Sequence, residues 1–129
     1  MTYQKRLNEI KDNYPFDEWI DNFSADTEDK NDKGIEQYTQ ENCDATKAIF
    51  DYLLGKLYLI GEKASELNKI ELFEIIINSL NRLNDEKGLF DFGVSEDLCD
   101  LVDEITLVAG LNPEIYANGK GIPDIWREW

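Results

Sequence analysis

"IELFEIIINSLNRL", residues 70 to 83, decides between a helical fold and one that contains a sheet. Its centre, "EIIIN", is rich in β-branched side chains, which suit a pleated strand. The longer pattern has a different period. Ile70, Leu72, Phe73, Ile76, Ile77, Leu80 and Leu83 form one broad apolar face at helical spacing, opposite Glu71, Glu74, Asn78 and Arg82. The spacing therefore predicts a helix from about Asn68 to Leu83.

Upstream, the chain is helix-like from Gly34 to about Ile60, with a possible break where Asn42 or Asp44 would cap a new start. Ile49, Phe50, Leu53, Leu54, Leu57 and Ile60 cover nearly half of that helix, which places it centrally in the fold. Tyr52 and Leu59 lie on another side, and Gly61 suits the helix end. Residues 24–34, "SADTEDKNDKG", have no apolar side chain larger than alanine and read as an exposed acidic loop. Before it, Tyr3, Leu7 and Ile10 make one face of a first helix from Thr2 to Lys11. Pro15 opens a short second helix that carries Phe16, Trp19, Ile20 and Phe23 inward.

Downstream, "NDEKGLFDFG" reads as a turn-rich connection with Leu89, Phe90 and Phe92 tucked against the core. Ser95 reads as the N-cap of the next helix, with Glu96 and Asp97 at the positive end of its dipole. Gly110 and Leu111 read as a Schellman-type end. Asn112 and Pro113 start a helical turn, "NGKG" is a loop, and "IPDIWREW" makes a last short helix whose Trp126 and Trp129 pack back. The expected fold is all-α, a single compact bundle of four to six helices spanning residues 1–129.

Charge narrows the function. Lys and Arg number 13 against 28 Asp and Glu, a formal net charge of −15. Such a field repels nucleic-acid phosphates and anionic membranes and draws in basic partners. With 42% hydrophobic residues the chain is too apolar for a disordered acidic tail. No stretch has the length of a membrane span or the form of a signal peptide, so a cytoplasmic protein is expected. Cys43 and Cys99 read as reduced thiols in or near the core. There is no histidine, the commonest general base and metal ligand. No nucleophile elbow, phosphate-binding loop or dinucleotide fingerprint occurs. In a calcium-loop alignment Asp29, Asn31 and Gly34 fit, but Lys33 and Gln40 stand where oxygen ligands belong. No catalytic, cofactor or metal site is expected.

The densest charge lies in "SEDLCDLVDEITLVAGL", residues 95 to 111. Leu98, Leu101, Val102, Ile105, Val108 and Ala109 gather on one face, and Glu96, Asp97, Asp100, Asp103 and Glu104 on the other. Like charges at i+3 and i+4 cost a helix a few tenths of a kcal/mol per pair, roughly. No Lys or Arg lies between Lys87 and Lys120 to relieve them. Leu107 falls amid these acids. It either packs under the C-terminal tail or serves as an apolar anchor inside a charged rim. The expected partner-binding set is Asp91, Glu96, Asp97, Asp100, Asp103, Glu104 and Leu107. Asp26, Glu28, Asp29 and Asp32 form a second, more mobile candidate.

In size, acidity, helical character and lack of catalytic motifs the whole chain resembles the small acidic immunity proteins of bacterial toxin–immunity systems. "SEDLCDLVDEITLVAGL" is similar in style to the acidic helices with which those proteins meet basic toxins. The resemblance implies a cytoplasmic, non-enzymatic protein that neutralises a cognate basic, nuclease-like toxin domain by charge-complementary occlusion. Two other readings stand beside it: an adaptor that binds a basic protein without inhibiting it, and a DNA-mimic inhibitor.

Overall fold

Thr2 caps the first helix, its hydroxyl oxygen accepting the Lys5 amide at 3.1 Å. The computed structural model describes residues 2–19, 39–88, 90 and 92–129. Outside them lie the expected 24–34 loop, the calcium-like positions Asp29, Asn31, Lys33 and Gly34, and the inward positions Ile20 and Phe23. Leu89 and Asp91 also lie outside, as does the side chain of Phe92.

Helix α1 spans Tyr3–Ile10 and buries Leu7 and Ile10. A single helical turn follows at Lys11–Asn13. Pro15 then leads into α2, whose described residues are 16–19 and which buries Phe16 and Trp19. Helix α3, Gln40–Ile60, starts at Thr39, not at Asn42 or Asp44. The Thr39 hydroxyl oxygen takes the Asn42 amide at 3.2 Å, so Asn42 is already inside the first turn. Gly61 ends α3 at φ 89°, a conformation that favours glycine.

Helix α4, Glu66–Lys87, contains the whole of "EIIIN" and is longer than the apolar pattern at both ends. Ser65 caps it by accepting the Asn68 amide at 3.2 Å. Asn84 to Lys87 continue the helix and do not turn, because nothing breaks it before Gly88, which adopts the left-handed conformation. Helix α5, Phe92–Val108, also starts earlier than expected. Ser95 is not its N-cap. The extra turn buries Val94 one turn before Leu98, and the buried Ser95 hydroxyl donates to the Phe90 carbonyl at 3.3 Å. Glu96 and Asp97 therefore sit beyond the first turn, away from the dipole's positive end.

The far end of α5 is a Schellman motif. The Leu111 amide donates to Thr106 and that of Gly110 to Leu107, both at 3.0 Å, with Gly110 at φ 85°. Single helical turns at Pro113–Ile115 and Ala117–Gly119 lead to α6, Pro123–Trp126. The second turn occupies part of the expected "NGKG" loop. Among the described residues there is no strand, and the fold is all-α.

Helices α3 and α4 form an antiparallel hairpin, α1 crosses α3 and α5, and α6 rests on α4. Phe50, Leu53, Leu57, Phe73, Ile77, Leu80, Leu98 and Ile105 form the centre, each fully buried. Burying such a side chain stabilises by about 1.5–3 kcal/mol. Among the described residues, one charge enters this core. Lys69 is buried, and its ammonium donates to the carbonyls of Glu62 and Ala109, each at 2.6 Å. It thereby ties the chain just past α3 to the C-terminal end of α5, where the helix dipole favours a cation.

Candidate functional site

Helix α5 faces solvent along one side because its apolar stripe is complete on the other. Leu98, Leu101, Val102, Ile105 and Ala109 are buried, and Val108 is half-buried. Glu96, Asp97, Asp100 and Glu104 are exposed, and Asp103 is half-buried. Leu107 is 61% exposed, so it does not pack under the C-terminal segment. The expected acidic face is therefore present from Glu96 to Leu107.

The face has two flanks, with Asp100 on the crest between them. On one flank, Asp97 and Glu104 meet the N-terminal segment. The Trp19 indole N–H donates to Asp97 Oδ2 at 3.0 Å, and the Asn13 amide donates to Glu104 Oε2 at 3.3 Å. A hollow of about 360 Å³ opens there, and Asp12, Glu18, Asp97, Asp100 and Glu104 line it together with Asn13, Tyr14, Pro15 and Leu101. No Lys or Arg is among its lining residues. Asp12 and Glu18 were not foreseen as part of the face. They lie far from α5 in sequence, and only the crossing of α1 over α5 brings them there.

On the other flank, Glu96, Cys99 and Asp100 face the C-terminal segment across a groove of about 810 Å³. Phe90 and Trp129, edge-to-face with ring centres 5.6 Å apart, supply aromatic lining. Lys120, Asp124 and Arg127 line its opposite side. Arg127 is paired with Asp124 and lies over the Trp129 ring at 5.4 Å. Here the fold brings back Lys120 and Arg127, the two cations that follow the acidic helix in sequence.

The cysteines are unsuited to nucleophilic work. Both are free, and burial pushes each thiol up to about 11, further from the thiolate at neutral pH. At Cys99, Arg127 opposes this and the carboxylates of Asp124, Asp103 and Asp100 add to it. Among the described residues no group of His, Cys, Asp or Glu is arranged to hold a metal ion. Among them also, no helix is long and apolar enough to cross a membrane. No protein-family model, curated protein or solved structure matches the chain.

Proposed function

We propose that this chain is an immunity-type inhibitor that binds a basic protein, a toxin domain of nuclease-like charge, through the solvent face of α5 and the hollow beside it. The observation that carries the reading is the hollow lined by Asp12, Glu18, Asp97, Asp100 and Glu104 without a cation. Five carboxylates drawn from two distant parts of the chain focus negative potential on a concave surface, and a basic partner gains both orientation and association rate from such a field. Leu107, exposed one turn from Asp103 and Glu104, supplies an apolar contact within the charged rim. Inhibition then follows from occlusion, since a basic surface that holds a nucleic-acid substrate is the surface that this face covers. The protein performs no chemistry of its own in this reading, and its site is cytoplasmic, where the toxin acts.

The reading predicts a toxin-like domain encoded beside its gene, and the experiment is co-expression with that neighbour, scoring host growth and co-purification together. The expected result is rescue with a stoichiometric complex. A variant with Glu96→Lys, Asp100→Lys and Glu104→Lys keeps its helical circular dichroism and loses both. Asp103 is left unchanged because it packs against the C-terminal segment. Undiminished binding by that variant removes α5 as the contact face. A complex without rescue turns the reading to an adaptor, and no complex at all removes the immunity reading.

A further inference from the structure

Among the described residues, the side-chain hydrogen bonds that fasten the C-terminal segment to the helices run to α4. Towards α4, Asn81 is buried and makes two hydrogen bonds to it, donating to the Trp126 carbonyl at 3.0 Å and accepting the Glu128 amide at 2.9 Å. Ile122 is fully buried in the core. Towards α5 the contact is of another kind. Asp103 lies on Gly121, and its Oδ1 stands 2.5 Å from the place where a Cβ at 121 would lie. Gly121 suits its φ of 97°, and a Cβ there would displace the Asp103 carboxyl.

The same Oδ1 is buried and accepts no hydrogen bond from any described residue. The groups around it do not compensate. Asp100 stands one turn back on α5, Asp124 approaches on α6, and Cys99 is held as a neutral thiol. Arg127 is committed to Asp124, and Lys120, exposed on the neighbouring groove, makes no ion pair with a described residue. Burial first, then the charges of Asp100 and Asp124, raise the Asp103 carboxyl above its ordinary range.

We propose that Asp103 is a protonation-controlled clasp: neutral, it lets residues 119–126 close on α5, and ionised, it loosens them and widens the groove between Glu96 and Arg127. An ionised carboxylate brings an unpaired charge into a half-buried contact already flanked by two others, and a neutral carboxyl does not. The sign follows from linkage. Closing raises the proton affinity of Asp103 and opening returns it to the ordinary range. Closure is therefore favoured fully below the ordinary carboxylate range and is lost as pH rises through the raised value. The inference concerns the free chain and does not depend on a partner.

The test is hydrogen exchange on the full chain at mildly acidic and at neutral pH, corrected for intrinsic rates. The amides to follow are those of Gly121, Asp124, Ile125 and Arg127, which donate to Tyr116, Gly121, Ile122 and Pro123. Protection should fall in the wild type between the acidic and the neutral condition. Asp103→Asn should hold protection high at both, and Glu104→Gln should keep the wild-type difference. Protection that does not change with pH in the wild type overturns the clasp, and so does a difference that survives in Asp103→Asn. The carboxyl-carbon titration of Asp103 in the wild type needs no variant, and a midpoint at the ordinary aspartate value also overturns it.

Discussion

Asp97 and Asp103 are the same residue type on the same solvent-facing side of α5, and they end in opposite surroundings. Asp97 remains exposed and takes a hydrogen bond from the indole of Trp19, which is itself buried. Asp103 is half-buried, and one of its oxygens has no donor among the described residues. The helix alone does not produce that difference. It sets the direction of each side chain, and whatever the rest of the chain lays alongside decides the chemistry. The N-terminal segment brings donors to one flank, Trp19 and Asn13. The C-terminal segment brings a glycine and another carboxylate to the other. The two acids are therefore not equivalent as contact residues.

The strongest way to break the comparison is to remove the support that both flanks share. Ile105 is fully buried under the acidic face. Ile105→Ala should cost about 2–5 kcal/mol, through lost burial and the cavity left behind. Urea unfolding would measure it, and exchange protection should fall on both flanks together. Loss confined to one flank would show that the two segments are held independently of α5.

Trp19→Phe separates the flanks. It leaves an aromatic ring against Phe16, whose centre is 5.1 Å from that of Trp19, but removes the N–H that Asp97 accepts. Hydrogen bonds to charged groups contribute about 1.5–3 kcal/mol, and Asp97 stays wet enough to recover part of that from water, so a loss of about 1–2 kcal/mol is expected. Exchange at Gly121 and Asp124 should not respond. A variant as stable as wild type would mean that the indole and the carboxylate meet without consequence for folding.

The helices and most of their ends were legible because their causes are local. The period over residues 70–83 outweighs the β-branched run within it, and α4 is helical throughout. The glycines at 61 and 110 stop α3 and α5 as read. Where the reading failed, either a competing local signal decided, as at Thr39 and Gly88, or the deciding neighbour lay elsewhere. Ser95 looks like a cap, but Val94 has a place in the core, so α5 begins a turn sooner. Lys69 carries no local sign of burial, since its value depends on two carbonyls, at Glu62 and Ala109, meeting over it. The acidic side of α5 was legible from spacing alone. Its enlargement by Asp12 and Glu18, and its division by Lys120, Asp124 and Arg127, depend on helix crossing and on the path of the C-terminal segment.

Asn13→Ala is the smallest change and the finest probe of how the donor-rich flank is built. Its amide reaches Glu104 at 3.3 Å, and both residues are exposed. An exposed hydrogen bond of this length competes with water on equal terms, so the expected cost lies within about 0.5 kcal/mol. Without the amide, Glu104 stays over the hollow and loses the tether that fixes its direction. If the hollow acts through the summed field of its five carboxylates, a basic partner should associate at nearly the wild-type rate. If it acts through one positioned carboxylate, association should slow while stability stays unchanged. Stopped-flow association of both proteins at two salt concentrations distinguishes these cases: equal rates that fall together as salt is added mark the summed field, and a variant slower than wild type at unchanged stability marks the positioned carboxylate.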